Sequence, residues 1–392
     1  MNSLFISVLL FVASLCAISC EKNTNDDPNG SKTDNLTSLK LADPKATPET
    51  KALYSNLWAI QSRGFMFGHH DDLMYGRTWY NVPGKSDTKD VCGDYPAVYS
   101  MDFAAVMDDR YSSSTEENAI MRRCMIEAYD RGMVIIACMH INNPLTGKDA
   151  WDNTSNQVAH EIMTSGSDTN VKFNSWLDRL SLFAQDLRGS DGKVIPVIFR
   201  PFHEHTQGWS WWGSQCTTSD EFIALWHYVV DYLRDKKGVH NFIYALSPQM
   251  DSAKTEADFY YRWPGDNYVD FIGMDCYQGI NNAVFVTNLK SIVKASQNKH
   301  KPCGVTETGV EGFSATDYWT TNIHAPLTGR KVSMVITWRN KYDPNEGGTH
   351  YYSVFPGHPS ERDFVKMYNQ QNTFFCSDLP NMYAMADGIT VE

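Results

Sequence analysis

Two carboxylates close apolar segments of this chain, and they are its best candidates for chemistry. The first lies in Arg200-Pro201-Phe202-His203-Glu204-His205-Thr206-Gln207-Gly208-Trp209-Ser210-Trp211-Trp212-Gly213. A guanidinium, an imidazole and a carboxylate leave an apolar run together there, and three tryptophans follow in a loop bounded by glycines. Indole rings match the apolar faces of pyranose sugars, while flanking polar groups take the hydroxyls. The bland alternative is a surface loop whose tryptophans pack onto a helix; the crowding of charge in so short a loop argues against it. His203-Glu204-His205 is not a zinc motif, which needs histidines at i and i+4 on a helix with the glutamate beside the first. Adjacent side chains of a regular strand point to opposite faces. His203 and Glu204 can therefore share a cleft only if the chain bends at Pro201 or bulges at the strand end.

The second carboxylate is Glu307, in Val305-Thr306-Glu307-Thr308-Gly309. A glutamate that closes an apolar strand is costly to bury unless it is partnered or used. Cleaving a glycosidic bond with retention takes two carboxyls about 5–5.5 Å apart, one a proton donor and the other a nucleophile. Glu307 is the natural partner of Glu204 for that task. A competing reading makes Glu307 half of a buried ion pair with Arg200 or Arg339. The two are compatible, because a neighbouring guanidinium favours the ionised carboxylate that a nucleophile must be. Such a pair requires no metal and no organic cofactor.

Something must bring these residues together. After residue 45, short apolar runs alternate with helical periodicity. The runs cover 65–69, 97–102, 134–140, 194–200, 242–247, 271–277, 304–307 and 334–339, and helices are expected over 116–131, 171–187, 220–236 and 284–296. Strands that are apolar throughout are buried on both faces, as in a parallel sheet. A doubly wound open sheet would give the same alternation. The strand ends favour a closed barrel: His69, Asp102, His140, His203 with Glu204, Ser247, Asp275 with Tyr277, Glu307, and Trp338 with Arg339 are polar or aromatic. In a barrel these C-terminal ends converge on one site. The expected fold is α/β, a single (β/α)8 TIM barrel over residues 46–392, with the fourth and seventh strands facing each other across its mouth.

These motifs resemble glycoside hydrolase family 26, mostly endo-β-1,4-mannanases, within the clan of retaining (β/α)8 glycosidases. The resemblance runs from about Pro48 to the C-terminus. Its most specific piece is Arg-Pro-x-His-Glu followed by Gly-x-Trp-x-Trp-Trp, residues 200–212. Phe67-Gly68-His69, Pro96-Ala97-Val98-Tyr99, Asp275-x-Tyr277, Thr306-Glu307-x-Gly309 and Trp338-Arg339 support it. The resemblance implies that Glu204 is the acid/base, Glu307 the nucleophile and His203 a support for the catalytic centre. It places His140 and Tyr277 around the sugar at the cleavage point, with Tyr277 hydrogen-bonded to the nucleophile. Trp209 and Trp338 match aromatic platforms, Arg339 a substrate-side contact and Asp275 a further cleft residue or one that orients a neighbour; Trp151, Trp212 and His69 complete the candidate substrate contacts. His70 departs from the family, which often has glutamine there before an aspartate.

The implied substrates are mannan, glucomannan or galactomannan. A β-1,3-xylanase or a mixed-linkage β-glucanase would use the same two glutamates. A non-catalytic glycan-binding lipoprotein would be expected to lack one of them, and both are present. A metal-dependent hydrolase would want paired histidines facing inward from the first strand, and His69-His70 are adjacent.

Composition sets outer bounds. The chain has 392 residues and a formal net charge of −12. That length suits one barrel of about 250 residues with insertions, and by itself would also fit smaller domains. The acidic balance disfavours nucleic acid and polyanionic glycans and suits a neutral polysaccharide. The 11 Trp and 20 Tyr can furnish both a core and a sugar cleft. Residues 4–18 form an apolar run too short to span a bilayer, placed where a signal sequence belongs. Ala17-Ile18-Ser19-Cys20 resembles a lipoprotein processing box, although leucine is more usual three residues before the cysteine and no Lys or Arg precedes the run. Residues 1–20 are thus expected to be a signal peptide with Cys20 lipidated, and residues 21–45 a flexible tether. The anchored domain would be a monomer on the outer membrane, at the cell surface or on the periplasmic side. Of nine cysteines, Cys16 and Cys20 lie in the targeting segment; among the remaining seven, Cys92 could pair with Cys216 or Cys376 in an oxidising compartment.

Overall fold

The computed structural model describes residues 36–107, 116–277 and 283–392, so the signal peptide, Cys20 and most of the expected tether lie outside the described residues. The strands are β1 (Thr37–Leu39), β2 (Phe65–His70), β3 (Val98–Asp102), β4 (Val134–Cys138), β5 (Val197–Phe199), β6 (Phe242–Leu246), β7 (Phe271–Cys276), β8 (Cys303–Thr308), β9 (Met334–Thr337), β10 (Thr373–Phe374) and β11 (Ile389–Val391). From β2 to β9 each strand pairs in parallel with the next, and β2 also pairs with β9. This closes the eight-stranded barrel that the strand ends predict, and the open-sheet alternative falls.

Alternation along the strands sorts the core. Met66 and Gly68 of β2 face the barrel interior, where a Cβ on Gly68 would come within 2.8 Å of Ile336 and 2.9 Å of Val98. Phe67 faces outward and packs edge-on against Trp319 and Phe364 and stacked on Phe375, with centroids 5.1–5.8 Å apart. Around the barrel, the helix Asp168–Asp186 buries Phe173, Trp176, Leu177, Leu180 and Ala184, a three-and-four spacing that turns one face inward. The helix Ser219–Asp231 starts one residue before its expected position. Thr218 caps it and accepts from the Glu221 N–H, while the Glu221 side chain returns to the Thr218 backbone.

Two expectations need correction. Residues 37–43, placed in the tether with the polar stretch that precedes them, are built into the domain. Thr37 pairs with Ile389 through β1 and β11, and Leu39, Leu41, Ala42 and Asp43 are buried. Their anchor is far away in sequence: the Ala42 N–H donates to Asp270 at 2.6 Å, and Asp43 pairs with His240 at 2.8 Å. The disulfide considered for Cys92 with Cys216 or Cys376 is absent; these three and the four other cysteines of the described residues are free thiols.

Truncating the outward wall of β2 by Phe67→Ala should cost about 3–5 kcal/mol, as other buried Phe→Ala changes do. Urea unfolding followed by tryptophan fluorescence would show a lowered midpoint; an unchanged midpoint would show that this aromatic cluster does not hold β2 to the helical layer.

Candidate active site

Both glutamates reach the barrel mouth through irregular backbone. Gly273 and Met274 of β7 pair with Gly304 and Val305 of β8, but the next pair is Asp275 with Glu307, so Thr306 is an extra residue. The same slip recurs against β9, where Val305 pairs with Val335 and Thr308 with Thr337. A bulge of this kind re-aims the side chains that follow it. It lets Thr306 and Glu307, neighbours in sequence, both serve the site: the Thr306 hydroxyl donates to Asp275 at 2.7 Å, and Glu307 faces the cleft.

Glu204 reaches the cleft by a turn. After β5, Phe202 and Glu204 take φ of 50° and 53°, in the left-handed region that side chains other than glycine rarely adopt. This is the bend that His203-Glu204 requires. The Glu204 N–H donates to the Ser247 carbonyl at 2.8 Å, which ties the turn to the end of β6. Two of the three tryptophans hold it from behind. Trp211 Nε1 donates to the Ile141 carbonyl at 3.2 Å and Trp212 Nε1 to the His203 carbonyl at 2.8 Å, and both rings are buried.

One guanidinium organises the charge. Arg200, buried, donates from Nη1 to Asp275 at 2.6 Å and to the Ser247 hydroxyl at 3.0 Å, and from Nη2 to Glu307 Oε1. The Tyr277 hydroxyl donates to the other Glu307 oxygen at 2.8 Å. Glu307 is thus held at both oxygens. Oxygens of Glu204, Asp275 and Glu307 lie within 4.8 Å of one another. Burial, then the charges of Glu307 and Asp275, push the Glu204 carboxyl well above its ordinary range. Trp209 Nε1 donates to Glu204 Oε2 at 2.6 Å and opposes that rise. The arrangement sets a carboxyl biased toward its protonated form against an oriented carboxylate, with oxygens close enough to share one glycosidic bond, as retention requires.

The walls are aromatic. The pocket holding both glutamates has a volume of about 480 Å³ and is lined by His140, Trp151, His203, Trp209, Tyr277 and Trp338, together with Gln249 and Tyr352. His140 lies 5.6 Å from Trp151 and 5.7 Å from Trp209, nearly parallel to both. Its Nδ1 is 2.5 Å from Asp102 and its Nε2 3.1 Å from His203 Nε2. Burial opposes ionisation of Asp102, but His140 and the hydrogen bonds outweigh it and hold that carboxyl well below its usual range. Burial, followed by His140 and Arg200, holds His203 well below the usual imidazole range. His203 is therefore neutral, and one of the two facing nitrogens donates while the other accepts.

Of the candidate residues, His140, Trp151, His203, Glu204, Trp209, Tyr277, Glu307 and Trp338 meet in this pocket, and Arg339 lines the adjoining one. Three line neither pocket. Asp275 is fully buried and serves Arg200 instead of the cleft. Trp212 is fully buried below Trp209, at a centroid distance of 5.2 Å, as a prop of the turn. His69 points outward from β2 to Asp72, 3.1 Å away, because strand alternation gives the mouth to His70. His70 bonds the Ser100 hydroxyl at 2.8 Å and stacks on Trp338 at 4.1 Å. Asp102, Gln249 and Tyr352 were not singled out as site residues. Asp102 stands among the polar strand ends that converge on the site, although the sequence assigns it no role; the other two sit on loops without a distinguishing pattern.

A closed parallel barrel with paired, buried glutamates at the ends of β5 and β8 is the architecture of the retaining barrel glycosidases. The profile of glycosyl hydrolase family 26 matches residues 42–316, and the chain belongs to that family. It is 37% identical to a GH26 β-mannanase from Bacteroides ovatus, with a TM-score of 0.80 over 87% of this chain and 98% of that one. The catalytic domain of a GH26 endo-β-1,4-mannanase from Bacillus sp. JAMB-750 is 30% identical, with a TM-score of 0.82 over 92% of this chain and 100% of that one. A mannan endo-1,4-β-mannosidase from Bifidobacterium adolescentis is 30% identical over 364 residues, which are 86% of this chain but 35% of that protein. The chain thus spans about a third of that relative's length.

The Trp209 bond favours ionised Glu204, so its loss in Trp209→Phe should raise the Glu204 pKa further. A proton donor stays competent up to its pKa, so the alkaline limb of the kcat/KM profile should move to higher pH while the phenyl ring keeps the wall apolar. A limb displaced to lower pH would contradict the assignment.

Proposed function

We propose that this chain is a retaining endo-β-1,4-mannanase that hydrolyses mannan, glucomannan or galactomannan by double displacement. The observation that carries the reading is the pair Glu204 and Glu307, with oxygens within 4.8 Å, one protonated by its surroundings and the other held by Arg200 and Tyr277. Inverting enzymes need carboxyls about 6.5–9.5 Å apart to admit a water between them, and this site leaves no such gap. Glu204 gives its proton to the glycosidic oxygen as Glu307 attacks the anomeric carbon. The aglycone leaves and a glycosyl ester forms on Glu307. Esterification removes the Glu307 charge that helped keep Glu204 protonated, so Glu204, now ionised, takes a proton from water. That water opens the ester and restores both carboxyls.

The choice of mannan rests on the relatives: the B. ovatus and JAMB-750 structures are of β-mannanases, and the B. adolescentis protein is named a mannan endo-1,4-β-mannosidase. The acidic chain and the aromatic cleft suit an uncharged polymer. We also propose that the protein is a monomer, exported and lipid-anchored; the apolar run of residues 4–18 and Cys20 support the export and the anchor.

Two substitutions separate the roles. Glu307→Ala should lower turnover of galactomannan and glucomannan by more than about 10³-fold with an unchanged far-ultraviolet dichroism spectrum; near-normal turnover would refute the nucleophile. Glu204→Ala should slow polysaccharide cleavage by about 10²–10⁴-fold and aryl glycosides with good leaving groups far less in their first step, since these need little protonation. Equal losses on both substrates would remove Glu204 from the acid role.

A further inference from the structure

The cleft does not end at the carboxylates. A second pocket of about 370 Å³ shares His140, Trp151 and Trp338 with the first and carries neither Glu204 nor Glu307. Tyr75, Arg339 and His350 line it. The Tyr75 hydroxyl donates to Asp71 and accepts from Arg339 Nη1 at 3.2 Å, which pins its ring at the cleft wall. From that ring a row of tyrosines leads outward. Tyr80 lies 6.5 Å from Tyr75 at an interplanar angle of 17°, and Tyr342 lies 6.0 Å from Tyr80. Tyr80 is on the loop that follows β2, where a backbone bridge to Tyr75 holds it; Tyr342 is on the loop that follows β9. The two outer rings are 45% and 41% exposed.

Single exposed aromatic residues call for no explanation. Here two exposed rings from different loops are joined by successive ring contacts to Tyr75, which lines the cleft. A phenol ring offers a pyranose an apolar face at small cost in side-chain entropy, with a hydroxyl at its edge. Partial burial, then the nearby Glu117 and Glu116, raise the Tyr80 phenol above its ordinary value. With a net charge of −12 on the chain as a whole, an uncharged sugar is the fitting occupant.

We propose that Tyr80 and Tyr342 form a distal platform that stacks one further neutral pyranose of a polysaccharide chain, remote from the bond being cut. This rests on the reading of the protein as a polysaccharide hydrolase. The platform would add affinity for long chains and leave the chemical step alone.

The test compares the Tyr80→Ala/Tyr342→Ala double variant with wild type on glucomannan and on mannotetraose, which is short enough to occupy the central cleft without the platform. The KM for glucomannan should rise about three- to tenfold, the range of one lost aromatic contact, with kcat unchanged and the mannotetraose constants unchanged. Tyr80→Phe/Tyr342→Phe, which keeps both rings, should behave as wild type. An unchanged polymer KM, or an equal change on polymer and tetraose, would overturn the platform. If wild type cuts neither substrate, the mannan reading fails by itself; the same comparison on the polymer it does cut, against that polymer's tetramer, then decides the platform.

Discussion

A single buried guanidinium, that of Arg200, is the constraint on which the site depends. It sits between Asp275 and Glu307 in the barrel mouth, where water cannot solvate it. Three carboxylates face this one positive charge. Burial first, then the charges of Glu307 and Asp275, push the Glu204 carboxyl well above its ordinary range. Of the two glutamates, Glu307 is the one that Arg200 holds by an ion pair, which orients it for attack. Removing one partner from such a buried set leaves an uncompensated charge and costs about 3–5 kcal/mol. Fold and chemistry are thus coupled through Arg200.

The backbone meets this electrostatic demand with departures from regularity. Left-handed conformations at Phe202 and Glu204 cost of order 1–3 kcal/mol each. They persist because Trp211, Trp212 and the Ser247 carbonyl over-determine the turn. The extra residue in β8 plays the same part for Glu307. Regular strands would have aimed one residue of each neighbouring pair away from the mouth. The barrel supplies a rigid frame, and two local irregularities supply the aim.

Much of this was legible in the sequence, for identifiable reasons. Parallel strands buried on both faces leave unbroken apolar runs, so the eight barrel strands could be read and ordered. Catalytic residues at strand ends stand out because a carboxylate at the end of an apolar run is anomalous. Pattern could not resolve direction. His69 and His70 read alike until the register of β2 assigns one to the helical layer and the other to the mouth. Trp212 and Trp209 share a motif, yet only the fold shows that one props the turn and the other bonds the acid. Asp275 looked like a cleft residue because its bond to Arg200 spans 75 positions of sequence. The N-terminal limit was misplaced because residues 37–43 are held by Asp270, Ile389 and His240, all distant in the chain.

Two carboxylates this close serve one anomeric centre in succession: Glu307 attacks one face, and Glu204 then delivers water to the opposite face, which the leaving group has vacated. Stereochemistry reports this directly. Proton magnetic resonance of a short β-manno-oligosaccharide in deuterated buffer, recorded within the first minutes after addition of enzyme, follows the anomeric signal of each newly formed reducing end. The β anomer should appear first, and mutarotation should bring the α anomer later. Initial release of the α anomer would mean that water attacks in a single displacement, and it would contradict the assignment of Glu307 as nucleophile.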